Sequence, residues 1–283
     1  MLTRRAFLKM ALAQGVAGMA ALPLSYGYAT QIEPTWLALD SLELRLPRLS
    51  PAFEGYRLVH ISDLHADESL EMAHLAEVVG RINALQPDLV AITGDFISLQ
   101  LWPIFDPYVA TLRQLEASDG VVAVLGNHDH WHDPDGVRRL LAQSGIQDLS
   151  NRQYSLTRGS DQLHLCGVDD VWEGLDRLEL VLADLPDDGA AILLAHEPDF
   201  ADTSAASGRF DLQLSGHSHG GQVRLPWIGA PILPPLAQRY PIGLYQVGTM
   251  WQYTTRGIGM VSPKVRFGCR PEITLLTLRA GGR

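Results

Sequence analysis

Cysteine, lysine and long apolar runs are all scarce in this chain. Two of its 283 residues are cysteine, Cys166 and Cys269, too few for a cysteine-based zinc site or a disulfide framework. Lysine occurs only as Lys9 and Lys264, so the other 20 of the 22 positive charges are arginine. Against them stand 32 acidic residues, for a formal net charge of −10. That balance excludes a protein that coats nucleic acid through general basicity. Charged residues make up 19% and hydrophobic residues 46%, which is too apolar for a disordered chain. The chain has no internal repeat and no low-complexity tract, and its length suits a single large domain.

Acid is absent from residues 1–29. This stretch places Arg4, Arg5 and Lys9 before an apolar run from Met10 to Leu24, followed by the small residues Gly27 and Ala29. The order is that of an export signal with cleavage expected after Ala29, and 15 apolar residues are short for a membrane span. Thr3-Arg4-Arg5-Ala6-Phe7-Leu8-Lys9 resembles the twin-arginine export signal. The resemblance implies transport of the folded protein by the twin-arginine machinery to the periplasm or the outer face of the cytoplasmic membrane. An uncleaved signal serving as an anchor is the alternative. Cleavage leaves 19 positive against 32 negative charges, a net −13. Residues 30–283 read as one domain.

From Tyr56 onward, short apolar runs alternate with helical patterns. Arg57–Ser62, Leu89–Thr93, Val121–Leu125, Leu163–Val168, Ala191–Ala195 and Leu212–Ser215 read as strands. Leu70–Leu85, Pro107–Leu115, Pro134–Ser144, Leu175–Leu185 and Pro198–Ala206 read as helices, with Asp133 as the N-cap of the third. Trp36–Leu46 suits an edge strand, and Ile273–Leu278 closes the chain as another strand. The alternation predicts an α/β fold with buried, largely parallel strands.

The chemistry sits where these strands end. Arg57–Ser62 runs into Asp63-Leu-His65, Leu89–Thr93 into Gly94-Asp95, and Val121–Leu125 into Gly126-Asn127-His128-Asp129. Ala191–Ala195 runs into His196, and Leu212–Ser215 into Gly216-His217-Ser-His219. Open α/β sheets bind ligands at the carboxyl ends of their strands. A set of His, Asp and Asn without Cys suits divalent ions such as Mn, Fe, Zn or Co, and it is large enough for two.

D-x-H, G-D, G-N-H-D, a lone His and G-H-x-H, in that order, resemble the calcineurin-like metallophosphoesterase superfamily. The resemblance spans roughly residues 55–280 and implies a two-sheet αββα sandwich. It implies that Asp63, His65, Asp95 and His219 bind a first metal, with Asp95 bridging to a second held by Asn127, His196 and His217. His128 would act on the phosphoryl group or the leaving oxygen, and a metal-bound hydroxide would be the nucleophile. Asn127–Trp131, His217–Pro226, Gly243–Tyr245 and Arg256–Gly259 further resemble the exported YkuE/YaeI-type phosphodiesterase-like branch. Two positions depart from that pattern. His130 stands where an aromatic residue is common, and Ser98 stands where many relatives carry an acid that orients the catalytic imidazole.

Arg256 and His130 are candidates for substrate contact. His60, His74 and His164 read as structural. The Pro-rich apolar loop Pro226–Pro235 is expected to pack over the core edge, with peripheral membrane contact as the other reading. Cys166 and Cys269 are expected to be buried free thiols, and the protein is expected to be a monomer. The leading function is an exported dinuclear phosphodiesterase or phosphomonoesterase. A UDP-2,3-diacylglucosamine-type pyrophosphatase and a non-catalytic metal-binding scaffold are the alternatives.

Overall fold

The computed structural model describes residues 25–66, 70–102 and 104–281. The twin-arginine motif and the apolar run to Leu24 lie outside them. Among the described residues, no helix is long and apolar enough to cross a membrane.

The chain opens with β1 (Ala38–Leu46) and β2 (Tyr56–Ile61), then α1 (Met72–Ala84), β3 (Leu89–Thr93), α2 (Phe105–Leu112) and β4 (Val121–Val124). Two helices follow, α3 (Asn127–His132) and α4 (Pro134–Ser144), then β5 (Gln147–Asp148), β6 (Arg152–Arg158) and β7 (Asp161–Gly167). Next come α5 (Leu178–Asp184), β8 (Ala190–Leu194), α6 (Ala201–Ala206) and β9 (Leu212–Ser215). The hairpin β10 (Gly243–Val247) and β11 (Met250–Thr254) and the long β12 (Glu272–Ala280) complete the set.

The strands form two six-stranded sheets, in the orders β1-β12-β2-β3-β4-β5 and β10-β11-β9-β8-β7-β6. Most neighbouring strands are parallel; β12–β2, β6–β7 and β10–β11 run antiparallel. β1 is an edge strand, as its alternating leucines predict. Side-chain alternation along the strands builds three cores. Leu58, Leu89 and Val124 of one sheet meet Leu165, Ile192 and Leu214 of the other between the sheets. Val59, Val90 and Ile92 point the opposite way, onto Leu75 and Val78 of α1 and Leu140 of α4. Cys166, Ala191 and Leu193 pack beneath Val181 of α5 and Ala201 of α6. The result is the four-layer αββα sandwich.

Local signals act where expected. The Asp133 carboxylate accepts from Gly136 N–H at 2.8 Å at the start of α4, and Gly145 ends that helix with φ 75°. Cys166 and Cys269 are both free and buried. The loop over 226–235 does not pack over the core edge as expected: Trp227 is fully exposed and Ile228 and Ile232 are largely so. Gly229, at φ 79°, closes a turn by exchanging backbone hydrogen bonds with Leu225 at 2.9 Å, and Trp227 and Ile228 lie within that turn.

Candidate metal centre

The carboxyl ends of β2, β3, β4, β8 and β9 meet at one end of the sandwich. Past these ends the chain turns sharply. Asp63, His65, Asp95, His217 and His219 all hold left-handed backbone angles, with φ between 44° and 66°. Such conformations cost of order 1 kcal/mol each in non-glycine residues and persist where surrounding structure enforces them. The enforcement is visible. Asp129, at the start of α3, accepts from the backbone N–H groups of Asp95, Phe96, Ile97 and Gly126 at 2.9–3.2 Å. A side chain at Gly126 would place its Cβ 2.4 Å from the Asp95 carboxylate, so only glycine allows this approach.

Asp63, His65, Asp95 and His219 bring one ligand atom each to a common point, with these atoms within 4.8 Å of one another. Asp95, His196 and His217 do the same beside them, so Asp95 belongs to both groups. All six side chains are buried. Hydrogen bonds on their outer sides settle which nitrogens face inward. A carbonyl only accepts, so His196 carries its proton on Nδ1, 2.6 Å from Thr93 O, and His217 on Nε2, 2.9 Å from Pro235 O. The two inward nitrogens, His196 Nε2 and His217 Nδ1, then face each other at 3.3 Å. His65 Nδ1 lies 2.8 Å from the Ser98 hydroxyl, leaving Nε2 3.1 Å from His219 Nε2 and 3.5 Å from Asp95 Oδ2.

This arrangement asks for cations. Burial, reinforced by the His196 charge, pushes His217 down to about 3, keeping it a neutral ligand. Burial also lowers His219. At His196 burial opposes the charge, yet Asp95 and Asp63 hold its pKa well above the ordinary value. Burial pushes Asp63 up to about 6. Buried carboxylates and imidazoles turned toward one point are stabilised together by positive charge between them, which here the proton held on His196 supplies. The Asn127 carbonyl oxygen is buried and has no hydrogen-bond partner, as suits a donor reserved for a metal. The donor chemistry and the orphaned oxygen therefore fit a pair of divalent ions.

His128 opens α3 beside these ligands and lines the cavity above them. Its Nδ1–H donates to Ser98 O at 3.4 Å, which leaves Nε2 outside that bond. Ser98 thus serves two imidazoles, His65 through its hydroxyl and His128 through its carbonyl. That explains how the chain dispenses with an acid at this position. The other two candidates are placed elsewhere. Arg256 Nη2 lies 2.9 Å from Asp40 and Nε 2.8 Å from Glu272; it is a structural arginine and does not line the cavity. His130 Nε2 lies 2.7 Å from Asp169 Oδ1, turned from the cavity by that ion pair. His60 and His164 are buried and bonded to Thr93 and to Ser155 and Asp188.

Sequence reasoning missed Glu197 and two tryptophans. Glu197 accepts from Val171 and Trp172 N–H at 3.2 and 3.3 Å, setting the loop that carries Trp172. Trp131 and Trp172 pack edge to face at 5.5 Å and form one wall of the cavity. An acid directly after the ligand His196, at the end of an apolar strand, was the available signal for Glu197.

Comparison with known proteins agrees with this geometry. Residues 56–221 match the family model for calcineurin-like phosphoesterases. The metallophosphoesterase YkuE of Bacillus subtilis is 34% identical over 99% of this chain and 98% of its own. The phosphodiesterase YaeI of Escherichia coli is 30% identical over 98% of this chain and all of its own. A bovine transmembrane protein with a metallophosphoesterase domain is 31% identical over 96% of this chain and 64% of its own. With the ligand set complete and the match running nearly end to end, the chain belongs to the calcineurin-like phosphoesterase family and is a metal-dependent phosphoester hydrolase.

Proposed function

We propose that this protein is an exported phosphoesterase that works with two divalent ions and transfers a phosphoryl group to water without a covalent enzyme intermediate. The observation that carries the reading is the pair of ligand clusters joined through Asp95. When bound, such a metal pair polarises the phosphoryl group and activates water near neutral pH. Asp63, His65, Asp95 and His219 would hold one ion, and Asp95, Asn127, His196 and His217 the other; Mn, Fe and Zn all suit these donors.

The remaining work falls to the chain. The carbonyls of Thr93 and Pro235 hold His196 and His217 in their ligating tautomers. Ser98 O holds the His128 ring by Nδ1, so that a proton on Nε2 can be given to a phosphoryl or leaving-group oxygen. The name of the Escherichia coli relative supports diesters among the substrates. Export rests on Thr3–Lys9, and Arg4→Lys with Arg5→Lys should retain the protein in the cytoplasm on cell fractionation.

The test is hydrolysis of bis(p-nitrophenyl) phosphate by Mn-reconstituted protein. Chelation should abolish turnover, and Asp95→Asn and His128→Ala should each lower it by about 10²-fold or more while cooperative unfolding is kept. Undiminished turnover in both variants would overturn the reading.

A further inference from the structure

The cavity above the metal ligands measures about 510 Å³, within the range of small-molecule sites. Its floor is polar: Asp95, Asn127, His128, His217 and His219. Its walls are not. Trp131 and Trp172, packed on each other, line it together with Ile232, Val261, Pro263 and Val265. The buried polar side chains of the wall are already spent. Gln222 donates to Val261 O and Pro263 O and accepts from Val261 N–H. The Ser218 hydroxyl donates to Pro241 O and accepts from Gly220 N–H. A nucleoside or sugar would find the buried polar side chains of this wall already bonded, with only the exposed Ser262 beside them, whereas a hydrocarbon chain asks for no hydrogen bond.

Ile232 belongs both to the wall and to the outward loop, where it is 80% exposed beside the fully exposed Trp227 and the 72% exposed Ile228. Ile232 therefore joins the cavity wall to the loop that carries Trp227 and Ile228. Charge follows the same boundary. Residues 212–271 contain no Asp or Glu but six Arg or Lys, in a chain with 32 acids elsewhere. Arg239 pairs with Asp202, Arg256 pairs with Asp40 and Glu272, and Arg266 is buried against backbone carbonyls. Arg270 donates to Trp36 O and Leu37 O, while Arg224, which donates to Gly220 O at 3.0 Å, and Lys264 flank the wall residues Val223 and Val265. Exposed Trp and Ile beside basic residues suit an anionic lipid interface.

We infer that the substrate is an amphiphilic phosphoester taken from an anionic lipid surface, with its phosphate at the metal ligands and its hydrocarbon chain along the apolar wall. The inference rests on the phosphoesterase reading and specifies its substrate class. Three measurements on the full-length protein test it. Calorimetric titration with methyl-, butyl- and octylphosphonate should show affinity rising at least tenfold from the shortest to the longest, since each buried methylene contributes about 0.8 kcal/mol. Val265→Asp should flatten that series. A flat series in the unsubstituted protein overturns the inference. Hydrolysis of bis(p-nitrophenyl) phosphate is followed in parallel. Turnover with a flat series sinks the substrate class alone, and a rising series without turnover sinks the phosphoesterase reading instead. For the surface, vesicles of phosphatidylglycerol with brominated acyl chains should quench the unsubstituted protein more than Trp227→Phe, because the difference reports Trp227 alone. Equal quenching in the two proteins overturns lipid contact at the tip and leaves a protein partner as its occupant.

Discussion

At the floor of the cavity, five ligands hold left-handed backbone angles because their surroundings over-determine them. At its rim, Trp227 also has a left-handed backbone angle, φ 64°, in a turn closed by bonds between Leu225 and Gly229, but its side chain and that of Ile228 project into solvent. The floor draws on both sheets. His217 N–H donates to Asp63 at 3.0 Å and His196 donates to Thr93 O, so the strand ends of one sheet are tied to those of the other. The rim is one loop outside both sheets, closed on itself by the bonds between Leu225 and Gly229. Substitutions at the floor should therefore propagate through the fold, and substitutions at the rim should not. Chemistry that needs fixed ligands is built where side chains are bonded across both sheets, and recognition is left where side chains can change freely.

The hardest test of the floor is Asp129→Ala. The change strips the partner from four backbone N–H groups, those of Asp95, Phe96, Ile97 and Gly126. A buried group left unpaired costs about 1–3 kcal/mol. Urea unfolding should show a loss of at least about 3 kcal/mol, and a loss under about 1 kcal/mol would mean that the floor is not held in this way. Ser98→Ala probes the next layer out. It removes the hydroxyl on His65 Nδ1 but keeps the carbonyl that orients His128. Metal affinity should fall about 10–100-fold in a titration of apoprotein, while turnover at saturating metal changes little. Equal losses in affinity and saturated turnover would show that the hydroxyl, not the carbonyl, positions His128.

The floor was legible in the sequence for the same reason that it is rigid. Asp63 and His196 follow an apolar strand directly, Asp95, Asn127 and His217 stand one glycine beyond theirs, and a strand end fixes where the next residues stand. The two faces of the sheets were equally readable from alternation at Leu58, Val59, Leu89 and Val90. β6 escaped because Leu156 is its one buried residue, so its alternation is weak. The hairpin β10–β11 lies in a Gly- and Pro-rich stretch where turn residues mask strand periodicity. α3 escaped because its sequence, Asn127-His-Asp-His-Trp-His132, has the composition of a site and not of a helix. The fates of Arg256 and His130 depended on acids distant in sequence, Asp40, Glu272 and Asp169, and no local pattern announces such partners.

His130 belongs to neither floor nor rim; it sits on the helix of His128 but is paired with Asp169. Burial of its ring works against the cation, but the hydrogen bond and charge of Asp169 outweigh this and raise its pKa above the ordinary value. Burial likewise opposes the Asp169 anion, and His130 prevails and lowers its pKa. A raised imidazole pKa gives stability that is complete below the unfolded value of about 6.5 and is lost as pH climbs through the folded value. A lowered carboxyl pKa gives stability present above about 3.9 and lost as acid titrates the folded group. His130→Gln should therefore cost most near pH ~6 and progressively less toward pH ~9, measured as unfolding midpoints in urea. A pH-independent cost would assign His130 to packing.

The smallest effect belongs to the rim. Trp227→Ser removes a large aromatic side chain, a change that in a core costs several kcal/mol through lost burial and the cavity left behind. Here the ring is fully exposed in the folded state, so unfolding gains it no further contact with water. The hydrophobic term is proportional to area removed from water and therefore vanishes. The expected change in unfolding free energy is within about 0.5 kcal/mol, and its sign is open to either direction because the unfolded chain also loses an apolar group. Differential scanning calorimetry in aqueous buffer checks it. A drop of about 2 kcal/mol or more would mean that Trp227 folds back onto the protein in water, and the contrast between a held floor and an unconstrained rim would fail at its clearest point.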